Sequence, residues 1–505
     1  MTTASARLRI AFRRLAIGAA ATVALLAPHR AAGNLAPPRP AATSQSALAA
    51  RIDSILRRPA LRQAHWGIMV QDAATGRVLY ARQAERHFVP ASALKLVVSA
   101  AAAHHLPPDF RFRTSVYATG PVQGGTLQGD LVLFGRGDPM ISDRYFPSRT
   151  AVWEMLADSL RGRGVRRVTG SVVADDSWFD AERVRGDWES YDTRWWYGAP
   201  VGALGFNDNS IDFRIEAAAP GSRPRITWEP QSSYVWLENT AMMGEAVARN
   251  TLDFERRAGK GVRAYGIFPA GTAPQTEHFA VANAAEYAGT VFRETLERRG
   301  IDVANDAVRL VSDPARSSSR TAALLAEHRS PPLPQAIEPI LLRSQNWFAE
   351  QLLKAMAREV AGEGSWDAGL RLERDFLTGV VGIDSADVVL RDASGLSAGN
   401  LVTPRALVRL LDYVRRTPRQ AVVRGALPVS AGKGSLQARF TDLPGRVRAK
   451  TGYIGNVDSL AGYVTRADGS EVIFAIMANG SGQPSSRVKP GIDDIVRAVA
   501  ADRGR

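Results

Sequence analysis

The sequence has no cysteine among its 505 residues and only seven histidines. Without cysteine there can be no disulfide, no thiol nucleophile, no cysteine-ligated zinc site and no lipid-modified N-terminal cysteine. The histidines are scattered, and the adjacent pair His104 and His105 is more typical of a helix end than of a metal site. The sequence therefore predicts neither a metal nor any other cofactor.

Lysine is also scarce: six of the 64 basic residues are lysine and the other 58 are arginine. Arginine keeps its proton at any accessible pH, whereas lysine can lose its proton when burial or a neighbouring cation lowers its pKa from about 10.4. Each lysine in this chain is therefore worth explaining individually. Two of them, Lys95 and Lys450, lie in patterns that indicate catalysis.

The N-terminus has the pattern of an export signal. Residues 1–32 combine an arginine-rich start, a short apolar run at 15–27 and small residues near Ala32, where a peptidase could cut. The alternative is an uncleaved amphipathic anchor. A linker rich in Pro, Ser and Ala follows at 33–46. These features predict an exported protein of the periplasm or cell envelope, with peripheral membrane association left open.

The formal net charge of +14 does not select a partner by itself. Such a charge is compatible with nucleic acid, but the chain has no lysine-rich tract or basic run to support that partner. An anionic polymer or a membrane surface outside the cytoplasm fits as well. We predict no nucleic-acid binding, and the sequence does not indicate an oligomeric state.

Helix and strand patterns on both sides of a long β-rich segment predict one α/β domain that is split in sequence. Its first part, 47–112, has helix patterns around an alternating hairpin, and its second part, 330–505, has three successive strand candidates among helices. One helix pattern runs unbroken over 336–360. The intervening residues 113–329 hold short β-like runs separated by turn residues, which predicts one or two mostly β accessory domains.

Ser92 and Lys95, in "PASALKLVVSA", are the first candidate catalytic pair. Residues i and i+3 lie on the same face of a helix, so the hydroxyl and the amine are predicted to be neighbours. A serine hydroxyl needs such a base to become a nucleophile. The alternative is an N-cap serine followed by a solvated lysine. Ser-x-x-Lys also begins at Ser430 and at Ser486, in poorer helix contexts.

Two further patterns complete a set. Lys450, Thr451 and Gly452 end a β-like run, where the ammonium and hydroxyl can hold a carboxylate and the glycine permits close approach. Ser344 and Asn346 lie near a helix start. The structural alternative for Lys-Thr-Gly is a surface strand that ends in a turn, and the alternative for Ser344 and Asn346 is simple helix capping. In the order Ser-x-x-Lys, Ser-x-Asn, Lys-Thr-Gly, the three patterns are the set of active-site-serine penicillin-recognising enzymes.

On these motifs the chain resembles the low-molecular-mass, class C penicillin-binding proteins, the D-alanyl-D-alanine carboxypeptidase/endopeptidase family (peptidase family S13). The likeness extends over about residues 50–480 and includes "YGAPVGALGFNDNSI" and "RDASGLSAGNLVTP". The 249-residue gap between Lys95 and Ser344 suits a family with inserted domains and argues against compact serine β-lactamases. The resemblance implies a β-lactamase/transpeptidase-like domain, with an antiparallel sheet flanked by helices, split by a large, mostly β insertion.

The resemblance also implies the residues of the reaction. Ser92 would be the acylated nucleophile, Lys95 the base that takes its proton, and Ser344 the relay of a proton to the leaving amine. The oxyanion hole would be the backbone N–H groups of Ser92 and Tyr453.

Substrate-binding residues follow in the same way. Asn346 would orient the catalytic lysine and hold the substrate amide, and Lys450, Thr451 and Gly452 would bind the terminal carboxylate. The positive field of Lys450 would also depress the pKa of the catalytic lysine.

Two positions depart from the pattern of the family. Gln345 stands where most relatives have Asp, and its side chain is predicted to point away from the cleft. Tyr453 stands where a small hydroxyl residue is usual, so its ring is predicted either to narrow the cleft or to contact substrate. This second departure bears on substrate choice and on β-lactam affinity.

The implied function is that of a secreted serine DD-peptidase without metal. It would remove the terminal D-alanine of peptidoglycan stem peptides, or cut the D-amino-acid cross-link between them, and would be acylated by β-lactams. The alternatives are a β-lactamase or esterase with the same Ser–Lys chemistry, and a non-catalytic wall-binding protein. The sequence does not separate carboxypeptidase from endopeptidase action.

Overall fold

The computed structural model describes residues 47–319 and 321–503. The predicted signal segment 1–32 and linker 33–46 therefore lie outside the described residues. Among the helices of the described ranges, none is long and apolar enough to cross a membrane. The helices are α1 (Ala47–Leu56), α2 (Lys95–His105), α3 (Ala151–Gly162), α4 (Ala284–Arg298), α5 (Leu333–Leu342), α6 (Asn346–Ala361), α7 (Trp366–Asp375), α8 (Pro404–Arg416), α9 (Ala421–Gly425) and α10 (Ser485–Ala501).

The strands are numbered in chain order over the same ranges. They are β1 (His65–Asp72), β2 (Val78–Arg82), β3 (Arg113–Ala118), β4 (Val122–Gln123), β5 (Thr126–Leu127), β6 (Leu131–Gly135), β7 (Arg167–Val168), β8 (Val172–Asp175), β9 (Ser210–Glu216), β10 (Arg225–Glu229), β11 (Trp236–Asn239), β12 (Met242–Gly244), β13 (Asp253–Arg256), β14 (Gly261–Tyr265), β15 (Ile267–Pro269), β16 (Gln275–Ala280), β17 (Asp302–Val303), β18 (Arg309–Val311), β19 (Ala323–Arg329), β20 (Val388–Val389), β21 (Leu401–Val402), β22 (Val447–Ile454), β23 (Val457–Thr465) and β24 (Glu471–Asn479).

An antiparallel five-stranded sheet joins the two ends of the chain. Its order is β2-β1-β24-β23-β22, so the N-terminal hairpin pairs with the C-terminal meander, for example Ile68 with Ile476. The predicted hairpin and the three predicted C-terminal strands are all present. Pairing across nearly the whole length of the chain requires everything between to leave the sheet and return to it.

Helices cover both faces of this sheet because its central strands are apolar on both sides. Along β24, Phe474 and Ile476 belong to a core with α1 and α10, whereas Ile473 and Ala475 belong to a core with α2 and α8. This alternation follows the two-residue period of a strand. Helix α2 is buried from Lys95 to Ala103. An antiparallel sheet between helices confirms the predicted fold class.

The segment between the two halves leaves and returns through adjacent strands. Strand β3 pairs antiparallel with β19, and both lie in a second five-stranded sheet, β18-β8-β6-β3-β19, which α3 and α4 accompany. Smaller sheets follow in the orders β17-β7-β5-β4, β10-β9-β16, β11-β14-β13 and β12-β15. Apolar residues of this segment, among them Trp188 and Val201, share a core with α2 and α6. The bounds 47–112, 113–329 and 330–505 remain a prediction.

Gly462 on β23 shows how closely β23 and its neighbour β22, which carries Lys450, must approach each other. It lies opposite Ala449, and a Cβ on Gly462 would lie 2.2 Å from the Arg448 carbonyl oxygen and 2.5 Å from the Ala449 Cα. Since these are backbone atoms, we expect Gly462→Ala to lower the free energy of unfolding by about 1–3 kcal/mol, measured by urea denaturation. The control is Gly162→Ala, where the added methyl meets nothing within 4 Å. Equal effects of the two substitutions would contradict the prediction.

Candidate active site

Ser92 lies in a short turn that leads directly into helix α2. Residues Ala91–Leu94 form a single 3₁₀ turn, and α2 begins at Lys95. Side chains three apart in a 3₁₀ turn eclipse each other, which aligns the serine with the lysine even more directly than an α-helix would. The Lys95 Nζ lies 2.9 Å from the Ser92 Oγ. The predicted contact between the two groups is therefore present.

The backbone just before Ser92 is strained and is held from outside. Ala91 has φ of +47°, which side chains with a Cβ rarely adopt. Ser459 Oγ donates to the Pro90 carbonyl at 2.6 Å, and Gly395 packs so closely that a Cβ there would lie 2.0 Å from the Ala91 carbonyl oxygen. The surrounding structure thus fixes the turn that presents the hydroxyl.

Lys95 is fully buried and contacts three oxygen atoms. Besides Ser92 Oγ, its Nζ lies 2.6 Å from Asn346 Oδ1 and 2.6 Å from the Ser394 carbonyl oxygen. Burial lowers the pKa of Lys95 to about 7, against the opposing charges of Asp392 and Glu350. A neutral amine has two N–H donors and one lone pair. Amide and carbonyl oxygens only accept, so they can take both donors and leave the lone pair for the serine hydroxyl proton.

Ser344 interrupts a helix pattern that the sequence shows as continuous. The predicted single helix over 336–360 is wrong, whereas the helix start predicted near Ser344 and Asn346 is present. Helix α5 ends at Leu342, α6 begins at Asn346, and Ser344 between them has φ of +63°. A left-handed residue cannot continue a right-handed helix. The break places Asn346 in the first turn of α6, where its Nδ2 donates to the Tyr197 carbonyl oxygen at 2.9 Å.

Lys450 lies within β22 and reaches the second serine. The prediction that Lys-Thr-Gly ends the strand is wrong, because β22 continues to Ile454. Its Nζ donates to Ser344 Oγ at 2.8 Å and to the Thr451 carbonyl oxygen at 2.6 Å. The side chain is fully buried. Burial, and then the charge of Lys95, lower the pKa of Lys450 well below its usual value. The charge of Lys95 thus disfavours the charged form of Lys450. The predicted effect of Lys450 on the pKa of Lys95 remains a prediction, because burial is what lowers that pKa.

Gly452 allows β22 to lie against the nucleophile turn. A Cβ at Gly452 would lie 2.2 Å from Ser459 Oγ, 2.7 Å from the Pro90 carbonyl oxygen and 3.0 Å from the Ala93 nitrogen. The next residue, Tyr453, is 57% exposed. Tyr453 lines the cavity described below, and its predicted effect on the cleft or on substrate remains a prediction. The oxyanion-hole role of the Ser92 and Tyr453 N–H groups remains a prediction.

These groups line one cavity of about 250 Å³. It is lined by Ser92, Ser344, Ser435, Arg439, Thr451, Gly452, Tyr453, Asp458, Ser459, Lys489 and Ile492. Lys95 and Lys450 lie behind this surface and contact Ser92 and Ser344, and Asn346 contacts Lys95. The structure therefore brings all the predicted site residues together.

Sequence reasoning missed the carboxylates beneath Lys95. Glu350, one turn after Asn346 on α6, accepts the N–H groups of Ala393 and Ser394 at 2.8–3.2 Å. Burial and the charge of Asp392 raise the pKa of Glu350 to about 7. These bonds aim the Ser394 carbonyl at the catalytic lysine. The only signal in the sequence was the likeness of "RDASGLSAGNLVTP" to the family, which named no role for these residues.

Ser435 and Asp208 were also missed. Ser435 Oγ lies 2.8 Å from Thr451 Oγ1, so two hydroxyls stand together in the cavity. Asp208, in the inserted segment, accepts from Gln345 Nε2 at 3.0 Å and from Arg144. Gln345 therefore turns away from the cleft, as predicted. In the described part of the chain no group of three or more His, Asp or Glu side chains is arranged to hold a metal ion.

A serine that touches a buried lysine of depressed pKa, beside a second buried lysine on a strand, is an arrangement for acyl transfer through the serine. The chain belongs to the D-Ala-D-Ala carboxypeptidase 3 (S13) family, whose model matches residues 48–501. The resemblance drawn from the motifs is thus confirmed.

Individual relatives agree with the family match. A D-alanyl-D-alanine carboxypeptidase of Actinomadura sp. (strain R39) is 37% identical over 449 residues, which cover 86% of this chain and 81% of the relative. The D-alanyl-D-alanine carboxypeptidase DacB of Haemophilus influenzae is 28% identical over 416 residues, 79% of this chain and 82% of the relative. The crystal structure of penicillin binding protein 4 from H. influenzae covers 89% of this chain and 98% of its own, with a TM-score of 0.78 at 23% identity, and so shares the fold.

The contact between Gln345 and Asp208 predicts a charge-dependent stability. Gln345→Glu replaces a donor by a carboxylate facing another carboxylate in a buried place, so we expect a loss of about 2 kcal/mol in the free energy of unfolding at neutral pH. The pKa of the introduced group would be raised, so the loss should shrink as acid protonates it. Denaturation at several pH values measures this. Gln437→Glu, at an exposed position, is the control. A pH-independent loss would contradict the electrostatic cause.

Proposed function

We propose that the protein is a serine DD-peptidase that forms an acyl-enzyme on Ser92. Its substrates are peptidoglycan stem peptides, from which it removes the terminal D-alanine or whose D-amino-acid cross-links it cuts. The family and the names of its relatives support the reaction class. The observation that carries the proposal is the 2.9 Å contact between the Ser92 hydroxyl and the buried Lys95 amine.

Acylation begins when Ser92 Oγ attacks the carbonyl carbon of the penultimate D-alanine. The hydroxyl proton passes to the lone pair of neutral Lys95, which Asn346 and the Ser394 carbonyl hold in place. The N–H groups of Ser92 and Tyr453 bind the developing oxyanion. When the C–N bond breaks, the leaving amine takes a proton through Ser344.

The terminal carboxylate of the substrate binds Lys450 and the paired hydroxyls of Thr451 and Ser435. An anion beside Lys450 favours its charged form and so raises its lowered pKa. A charged Lys450 in turn favours the neutral form of Lys95. Substrate binding therefore prepares the base that the reaction requires. Asn346 would also hold the substrate amide.

Water then attacks the acyl-enzyme, with Lys95 again as the base, and releases the shortened peptide. A β-lactam would acylate Ser92 by the same route. The related fold of H. influenzae penicillin binding protein 4 has been solved in complex with a β-lactam. Long-lived β-lactam adducts fit a DD-peptidase, whereas rapid turnover would favour the β-lactamase alternative. We also propose export through the signal at 1–32, because the substrate lies outside the cytoplasm.

Labelling of the nucleophile tests the function. We expect a fluorescent β-lactam to label the protein covalently, and a synthetic peptide ending in D-alanyl-D-alanine to release D-alanine. Ser92→Ala should abolish both. Ser486→Ala is the matched control, since Ser486 begins another Ser-x-x-Lys sequence at an exposed position. Release of D-alanine by Ser92→Ala at the normal rate would refute the acyl-enzyme.

The pKa of Lys95 sets the pH dependence of acylation. Only the neutral amine can take the serine proton, so the second-order rate constant for acylation should rise about tenfold per pH unit below pH 7 and level off above it. Stopped-flow measurement of β-lactam acylation gives the profile. Lys95→Arg keeps the charge but cannot lose a proton, so it should be inactive at every pH. A flat profile from pH 5 to 8 would refute Lys95 as the base.

A further inference from the structure

Lys489 is a lysine that the proposed mechanism leaves unexplained. Among the described residues, three of the other lysines form ion pairs: Lys260 with Glu286 at 2.8 Å, Lys354 with Asp180 at 2.7 Å and Lys433 with Glu338 at 3.5 Å. Lys95 and Lys450 are the buried catalytic pair. In the same part of the chain, Lys489 has no carboxylate within 4.0 Å of its Nζ, so its ammonium can bind an anion from outside.

The ammonium of Lys489 belongs to the wall of the active-site cavity. Lys489 is half-buried in the second turn of α10 and lines the cavity that also contains Ser92 and Thr451. Its Nζ lies 5.3 Å from the centre of the Tyr453 ring. A cation over an aromatic face is held electrostatically while its remaining N–H groups stay available. The exposed ring and the ammonium thus form one amphipathic surface at the cavity mouth.

The other charged groups of this wall already have partners. Arg439 pairs with Asp493 on α10, and Asp458 accepts from the Ser485 hydroxyl. Burial raises the pKa of Asp458, and the charge of Lys489 opposes that shift. Asp458 therefore moderates the field of Lys489 without forming an ion pair with it.

The position of this surface relates it to the leaving group. In the proposed function, Lys450, Thr451 and Ser435 bind the carboxylate beside the leaving amine. Thr451 and Ser435 line the same cavity as Lys489. A free D-alanine leaving group has only that one carboxylate, which these groups already satisfy. A leaving group with a second carboxylate could use the ammonium beyond them.

We propose that Lys489 and Tyr453 form a subsite for a second carboxylate on the leaving group. The ring packs against the aliphatic chain of the leaving residue and the ammonium binds its distal carboxylate. The subsite favours cleavage at a dicarboxylic leaving residue over release of D-alanine. This inference rests on the proposed function and assigns it a preferred substrate class.

Matched synthetic peptides test the subsite. All share one acyl donor ending in D-alanine and differ in the leaving residue, which is D-alanine, D-glutamate or D-2-aminopimelate. Each dicarboxylate is compared with its distal amide, which has the same shape without the charge. The measured quantity is the ratio of kcat/KM for the acid to kcat/KM for the amide, for the wild type and each variant.

We expect the wild-type ratio to exceed one for at least one dicarboxylate and to fall with added salt. Lys489→Met should lower it about fivefold, as expected for a partly exposed ion pair, and Lys489→Glu should bring it below one. Lys489→Arg should keep most of the preference. Lys260→Met is the matched control, because Lys260 lies 5.4 Å from the centre of the Tyr234 ring in the inserted segment. It should leave the ratio unchanged.

The outcomes separate the two proposals. A wild-type enzyme that releases no D-alanine contradicts the proposed function itself. D-alanine release with an acid-to-amide ratio of one, or with a ratio that Lys489→Met and Lys489→Glu do not move, overturns the subsite alone. Since a ratio compares two substrates on one preparation, partial misfolding of a variant cannot imitate the expected result.

Discussion

The site depends on the burial of two lysine amines in one cleft. Taking an ammonium out of water costs several kcal/mol even after the protein relaxes, and a second cation nearby adds to that cost. The structure meets this constraint by lowering the pKa of both Lys95 and Lys450. Because the charged ammonium is destabilised, the amine readily loses its proton and can then act as a base. The use of lysine at these two positions, in a chain that otherwise favours arginine, has its physical reason here, since arginine cannot release the proton.

The carboxylates beneath Lys95 limit how far burial lowers its pKa. Fully ionised, Glu350 and Asp392 would raise the pKa of the lysine and keep it protonated at neutral pH, so it could not accept the serine proton. Burial raises the pKa of Glu350 to about 7, so its negative charge is partly lost at neutral pH, and burial also raises the pKa of Asp392. The loop bonds of Asp392 serve geometry as well, since it accepts the N–H groups of Gly395 and Ser397 at 2.7 Å. The pKa of Lys95 therefore lies near neutral pH, where the amine can both accept and release a proton.

Two strained serine-bearing segments meet in this cleft, and long-range contacts hold both. Ala91 and Ser344 have left-handed backbone conformations that cost about 1 kcal/mol or more each. The contacts that fix them come from β22, β23 and the loop at 392–397, which are far away in sequence. Strain of this kind persists only where the rest of the fold overdetermines it, so a folded sheet is a condition for a correctly placed nucleophile.

The difference between local contacts and contacts from distant parts of the chain also explains which features of the site could be predicted from the sequence. The Ser92–Lys95 contact is local, so spacing alone predicted it. Lys-Thr-Gly was correctly assigned to a strand, although β22 continues past it to Ile454. Apolar periodicity continues through Ser344 and so did not show the break there. Only the polar pair Ser344 and Asn346 indicated the start of α6, and the contact that holds Ser344 comes from Lys450. The Ser394 carbonyl and Glu350 escaped because a carbonyl has no sequence signature and a helical glutamate reads as an ordinary surface residue.

The inserted segment participates in the site through helix α6. Three side chains of this helix donate to carbonyl groups of the insertion: Asn346 to Tyr197, Trp347 to Pro200 and Gln351 to Gly202. The first of these bonds fixes which end of the Asn346 amide faces the catalytic lysine. With its N–H₂ group engaged by Tyr197, the amide presents its oxygen to Lys95 and accepts a hydrogen from it.

A reversed amide would present donors to the lysine, compete for its lone pair and weaken it as a base. The orientation of one amide, set by a carbonyl of the insertion, thus helps to leave the lysine lone pair to the Ser92 proton. The inserted segment therefore contributes to the geometry of the active site. This coupling gives a physical reason for a transpeptidase-like domain to share its core with the segment that interrupts it.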